Sequence, residues 1–248
     1  MKHSSIITAI VSCLMFFTAF CACSSTDAGV AATGTGEVRE FKVGDFDELC
    51  VANVDVTITV GAPTGVVRVE APEKVIERME VKCTRGELSV NYKKRNSVRD
   101  NNPKAKVFIT VPSLKDIVAT VGATVSVDKA MSVRGIDICT TTGASVEFPE
   151  LKVSGDCDIE ATTSGEVVVG KLTADELEVS ATTGASVKIK GGAVRKAELD
   201  ANTGADVRCA AMSATTGSAS ASTGGSVDCH ISNLTDRIVS TGGSVDNH

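Results

Sequence analysis

The chain has no tryptophan, a single tyrosine (Tyr92) and seven phenylalanines, so aromatic residues make up only 3% of it. A groove that stacks sugars or bases draws on more rings than that, and the scarcity favours a core of thin aliphatic side chains. Histidine is equally rare. Past the N-terminal segment only His230 and His248 remain, and no Cys-x-x-Cys occurs there, so neither a metal site nor a cofactor is expected. Basic residues do not predominate: the net charge is −6, which excludes the strong basic face that nucleic acid requires. Long apolar runs are also lacking, with one exception at the N-terminus.

That exception is Ile6 to Ala22, preceded by Lys2 and followed by Ser24, Ser25, Thr26 and Asp27. It is the short hydrophobic region of a secretory signal and lacks the flank of a stop-transfer helix. Phe20-Cys21-Ala22-Cys23 resembles a relaxed bacterial lipobox, with small Ala22 before the cysteine that would be acylated. Residues 1–22 are therefore expected to be a lipoprotein signal peptide and Cys23 the lipidated first residue of the mature chain; an ordinary cleaved signal is the alternative. Several acyl chains, at about 0.8 kcal/mol per buried methylene, would hold the body on an outer membrane or cell surface. Residues 23–36, rich in Ser, Thr, Ala and Gly, suit a flexible tether.

What the chain has in abundance is a Thr-Gly pair that returns about every twenty residues. It occurs at Thr142-Gly143, Thr183-Gly184, Thr203-Gly204, Thr223-Gly224 and Thr241-Gly242, with imperfect copies at Val121-Gly122 and Thr163-Ser164-Gly165. A fixed period of that length signals stacked repeats. Three and five residues after the Gly come Val125 and Val127, Val146 and Phe148, Val187 and Ile189, Val207 and Cys209, Val227 and Cys229. The copy at Gly165 carries the pattern one residue early, as Val167 and Val169. Side chains in a strand alternate between faces, so these positions are expected to point inward.

Four residues before the Thr lie Ile138, Ile159, Val179, Leu199 and Ala219, alternating with Asp137, Asp158, Glu178 and Asp200. A third apolar set, Leu151, Leu172 and Met212 with Val194 and Ile231, implies a three-sided rung. Twenty residues trace a perimeter of about 66 Å, enough for a filled interior and too little for a channel. The expected fold is all-β, a parallel β-helix or β-solenoid of right-handed sense with rungs of about 20 residues. The Thr column is expected to hydrogen-bond from rung to rung through its hydroxyls.

Before the regular rungs of residues 118–248, the chain from 37 to 117 alternates without the Thr-Gly period, as in Val54, Val56, Ile58 and Val60 or Val107, Ile109 and Val111. These read as irregular opening strands of the same body, with a separate sandwich as the alternative. Pro72 followed by Val75, Ile76 and Met79 suits a short helix.

The succession Asp45-Phe46-Asp47-Glu48-Leu49, Val54 to Gly61, Val66 to Pro72, Gly86 to Val90 and Val107 to Leu114 resembles the head GIN domain family of autotransporter adhesins. The resemblance covers most of the chain from about Val38. It implies a secreted or surface-anchored β-helical protein with an adhesin role, and it carries no catalytic residues.

Candidate sites are few. Outward residues four after the Gly, Ser126, Glu147, Lys188, Arg208, Asp228 and Asp246, mix both signs and suit a solvated face better than an active site. Lys93, Lys94 and Arg95, among Asn and Pro residues, form either a contact for anionic glycan or lipid headgroups or a plain hairpin loop. Cys209 and Cys229 fill equivalent inward slots, as a disulfide or a buried thiol pair. Cys139 falls in the outward phase and Cys157 in the inward one. An open edge at the last rung invites association with a second copy. The expected function is a non-enzymatic, lipid-anchored envelope protein that binds surface glycans, polymers or matrix proteins. The alternatives are a carbohydrate-active enzyme on a β-helix and a purely structural envelope protein.

Overall fold

The computed structural model describes residues 36–62, 65–93 and 104–248. They wind into a β-solenoid of about seven turns with rungs about 20 residues apart. The opening region contains β1 (Glu37–Lys42), β2 (Glu48–Ala52), β3 (Asp55–Val60), β4 (Val66–Ala71), α1 (Glu73–Ile76), β5 (Met79–Thr84), β6 (Glu87–Tyr92) and β7 (Lys106–Val111). The first regular rungs are β8 (Asp116–Thr120), β9 (Thr124–Val127) and β10 (Met131–Val133), then β11 (Ile136–Thr141), β12 (Ser145–Phe148) and β13 (Leu151–Val153). From β14 (Asp156–Thr162) and β15 (Glu166–Val169) the strands lengthen. Long β16 (Leu172–Thr182), β18 (Gly192–Asn202), β20 (Met212–Ser222) and β22 (Ile231–Val239) alternate with short β17 (Ser186–Ile189), β19 (Asp206–Arg208), β21 (Ser226–Cys229) and β23 (Ser244–Asn247).

Two sheets result. The 11-stranded sheet A runs β1-β4-β7-β3-β9-β12-β15-β17-β19-β21-β23, and the 12-stranded sheet B runs β22-β20-β18-β16-β14-β11-β8-β2-β6-β5 with β10 and β13 alongside. All pairs of the regular rungs are parallel, with one residue of each rung directly over its counterpart. The clearest consequence is a valine ladder in sheet A. It passes from Val107 and Val56 through Val125, Val146, Val167, Val187, Val207 and Val227 to Val245. Every member is at most 2% exposed, and burying each stabilises the fold by about 2 kcal/mol. The facing ladder in sheet B is Ile117, Ile138, Ile159, Val179, Leu199 and Ala219. One apolar cluster runs the length of the body, from Leu49 to Val245.

Each Thr-Gly pair turns the chain from sheet B to sheet A with both residues in the left-handed region: Thr183 at φ 54° and Gly184 at φ 69°, for example. The following amide closes the turn, as Ala185 N–H donates to the Thr182 carbonyl (3.2 Å). Two successive residues at positive φ with that bond make a type I′ turn. The glycine suits this backbone, whereas a β-branched threonine is strained there by about 1–3 kcal/mol. Successive corners are tied by backbone and not, as the sequence suggested, by threonine hydroxyls. The glycine N–H donates to the Thr carbonyl of the next rung at Gly143 to Thr163 (3.0 Å), Gly184 to Thr203 (3.0 Å) and Gly204 to Thr223 (3.1 Å). The corner hydroxyls with recorded bonds pair inside their own rung, Thr142 with Thr141 and Thr203 with Asn202.

The copy at Thr163-Ser164-Gly165 is in register with the others. Ser164, at φ 61°, occupies the glycine slot, and Gly165 stands where its neighbours carry Ala144 and Ala185. A β-carbon on Gly165 would lie 2.6 Å from the Thr140 carbonyl and 2.7 Å from its hydroxyl. Thr140 sits in a column that includes Ala119, Ala161, Ala181, Ala201 and Ala221. The same slot is glycine again at Gly225 and Gly243, where a β-carbon would lie 2.3 Å from the Ala201 and Ala221 carbonyls, so close backbone approach requires the glycine at all three corners. The third side also differs from expectation. From β16 onward it continues into the first side as one bent strand. Its innermost column is Met131, Leu151, Leu172, Gly192 and Met212, while Val194 and Ile231 stand in the next inward column with Ala174 and Ala214.

The opening strands leave this regularity. Parallel β6 and β7 sit outside β2 and β3 as a further rung, and antiparallel β4, β1 and β5 close the end. Helix α1 starts just after Pro72 and buries Val75 and Ile76. Met79, expected on the same helix, is the first residue of β5 and is also buried.

Candidate interaction surfaces

A filled interior leaves only the outward columns and the ends to make contacts. On sheet A the column Ser126, Glu147, Val168, Lys188, Arg208, Asp228 and Asp246 is in continuous register. Two of its members have partners at hand: Arg208 pairs with Asp206 (2.5 Å), and the His248 ring meets Asp228 (2.8 Å). The beads of charge are therefore solvated and mixed in sign, as the spacing implied.

Sheet B differs. Five residues before the corners at Asn53, Val121, Thr142, Thr163, Thr183 and Thr203 stands a carboxylate. Together with Glu87 on β6 these residues, Glu48, Asp116, Asp137, Asp158, Glu178 and Glu198, form one unbroken outward row across seven strands that ends at Ser218. Sequence reading recognised an acidic face from Asp137, Asp158 and Glu178 but missed the row, because its first three members precede the Thr-Gly period. Partial burial and neighbouring carboxylates push Asp116 up to about 7. The same two causes, burial first, push Asp158 up to about 6. Asp137 is raised by burial, although its hydrogen bond with Asp158 acts the other way; Glu87 is raised by burial and by Glu48. Cations meet the row at Glu48 and Glu198: Lys115 holds Asp47 (3.1 Å) and Glu48 (3.0 Å), and Lys196 holds Glu198 (2.5 Å). At the bend of the long strands, Arg195 grips Asp175 (2.7 Å) and Glu176 (2.8 Å), which lowers the Asp175 carboxyl.

Of the basic stretch, Lys93 is described and Lys94 and Arg95 lie outside the described residues. In the chain the stretch lies between β6 and β7, and its two described ends carry Lys93 and Lys104. Both stems are pinned. Lys93 Nζ donates to the Glu77 carbonyl (2.9 Å), and Lys104 Nζ donates to the Gly122 carbonyl (2.5 Å) while facing Asp55 at 3.3 Å. Cys23, like the whole of 1–35, also lies outside the described residues.

No disulfide joins the described cysteines. Cys209 and Cys229 occupy the same inward slot on successive rungs, one residue past the paired Arg208 and Asp228. Burial pushes Cys209 up to about 12 and Cys229 up to about 11, so neither is a ready thiolate near neutral pH. Cys139 keeps its outward phase between Val118 and Glu160 yet is 5% exposed. Phase alone did not reveal that burial. Among the described residues no three His, Cys, Asp or Glu side chains gather at a metal-holding position, and no helix is long and apolar enough to cross a membrane.

The family described as "Putative auto-transporter adhesin, head GIN domain" matches residues 45–248. The chain belongs to this family. Solved structures share the GIN fold. One titled a putative adhesin from Parabacteroides merdae has a TM-score of 0.74 at 16% identity, covering 88% of this chain and 98% of that one. One titled a putative lipid binding protein from Parabacteroides distasonis has a TM-score of 0.72 at 17% identity, with the same coverage. A putative adhesin from Bacteroides fragilis gives 0.54 at 16% identity, covering 89% of this chain and all of that one. No curated protein matches the chain.

Proposed function

We propose that this GIN-domain protein is a non-enzymatic component of the bacterial cell surface, held by an acylated Cys23 and adhering to glycans or other polymers through its exposed faces. The observation that carries the reading is the solid solenoid itself. Its interior is aliphatic from Leu49 to Val245, so its polar side chains lie in straight outward columns that repeat at the strand spacing of about 4.8 Å. A surface of that kind suits an extended polymer lying along the axis better than a small molecule enclosed in a pocket. Membership of an adhesin family supports a surface location, and the lipobox-like Phe20-Cys21-Ala22-Cys23 supports an acyl anchor.

Two arms test this. Radiolabelled fatty acid supplied to cells should enter the full-length chain and not Cys23→Ala, and protease added to intact cells should remove the body. Binding of the anchored protein to an array of glycans and matrix proteins should then be compared with a variant reversed in charge at Lys93, Lys94 and Arg95. Loss of an anionic polysaccharide would place the contact in the stretch between β6 and β7. Unchanged binding would move it to the sheet faces, and no binding at all would leave a structural envelope role.

A further inference from the structure

Seven carboxylates in one register, each over the next at the strand spacing of about 4.8 Å, cannot all remain ionised without strong mutual repulsion. The row offers a way out that is visible in its geometry: Asp137 and Asp158 stand directly opposite each other, half-buried on the same face of the neighbouring parallel strands β11 and β14. Two ionised carboxylates have no hydrogen between them, so one proton taken up by such a pair would be shared by both and would relieve their repulsion. The surroundings give little other relief at the centre of the row. On β8, Lys115 lies beside Asp116 but its ammonium is engaged by Asp47 and Glu48. On β14 the flanking outward groups are Asp156 and Glu160, both acidic, and on β16 Glu176 is taken by Arg195. Lysines pair directly with two members, Lys115 with Glu48 on β2 (3.0 Å) and Lys196 with Glu198 on β18 (2.5 Å), both away from the Asp137–Asp158 centre.

We propose that the acidic row of sheet B is a proton-operated element, in which carboxyls on β8, β11 and β14 bind shared protons as the medium acidifies, discharging that face and tightening its rungs. The direction follows from linkage. A carboxyl that holds its proton more firmly in the folded state stabilises the fold fully below its unfolded titration point near 4, and the benefit is lost as the pH rises through its folded value. Asp116 and Asp158, raised to about 7 and about 6, set the window between about pH 4 and pH 7. The protein should therefore be more heat-stable at pH 5 than at pH 8, opposite to a fold held by exposed ion pairs.

The test uses the full chain. Its melting temperature should fall by about 5 °C or more from pH 5 to pH 8, and Asp116→Asn combined with Asp158→Asn should flatten that dependence. Asp175→Asn, outside the row, should leave it intact. Side-chain carboxyl carbon resonances of the unmodified protein give a second readout that needs no variant to fold. Two or more aspartates should titrate between pH 5 and pH 8 and be missing from the spectrum of the double variant. Aspartates that all titrate below about 4.5, or a pH dependence that survives in the double variant, would overturn the proposal.

Discussion

The opening strands, residues 37–111, and the regular rungs, residues 116–247, bury the same kind of valine column and reach it by different means. In the regular rungs each inward residue lies in register over an inward residue of the next rung, and corner after corner donates an amide to the next. Such a stack is quasi-one-dimensional, because each rung contacts only its neighbours. In the opening region the chain doubles back. Antiparallel β4 lies across β7, β1 across β4, and β5 across β6, while α1 buries Val75 and Ile76. The edge strand there is guarded: β1 alternates Glu37, Arg39, Glu40 and Lys42 on an exposed backbone, a pattern that discourages further strand addition. At the other end β20 points only alanine and glycine inward beyond Met212, and β22 exposes Ile238 and Val239. The difference teaches that repetition maintains a solenoid, while irregular, bulkier sequence closes it.

The largest expected effect breaks the repetition at its middle. Val187→Asp puts a carboxylate in the dry ladder and should cost about 3 kcal/mol or more. Amide hydrogen exchange should then show protection lost from β17 onward while β2, β3 and β7 keep theirs. Simultaneous loss in both regions would mean that the body unfolds as one unit and that the contrast drawn above is not energetic.

A smaller effect is expected at Gly165, one of three corners, with Gly225 and Gly243, that carry glycine where the others carry alanine. Gly165→Ala should cost about 1–3 kcal/mol by driving a methyl into the Thr140 backbone. Thr140→Ala alone should be neutral or stabilising, since the buried Thr140 hydroxyl has no partner. Denaturant midpoints measure both.

The smallest change carries a device of the opening region into the rungs. The first corner turns on Asn53, at φ 55°, a residue that tolerates the left-handed conformation. Thr183→Asn should accordingly raise stability by about 1 kcal/mol, if strain outweighs anything the hydroxyl contributes. A lowered melting temperature would reinstate a hydroxyl ladder at the corners.

Much of the regular part was legible because strand alternation and a twenty-residue period act on the same residues. Val146, Val187 and Val207 could be placed inward by counting from a glycine, and all three are fully buried. Counting failed where a slot is filled by a residue of another kind. Ser164 takes the glycine place, Gly192 fills the inward slot assigned to Val194, and the row on sheet B begins at Glu87, Glu48 and Asp116, before the period is established. The antiparallel pairings of β1, β4 and β5 left no mark in periodicity, since strands of either sense alternate alike. Of the candidate surface, the acidic character was visible from Asp137 and Asp158, but its continuity was not.

By itself the sequence determined the solenoid, its rung length and which aliphatic residues form its ladders, because those follow from local alternation and repetition. Only the tertiary structure decided what closes the N-terminal end, which atoms tie one corner to the next, and that seven carboxylates from distant segments stand in one row. Each of these depends on which strands become neighbours across the sheets, a choice made by packing the whole chain and not by any stretch of it.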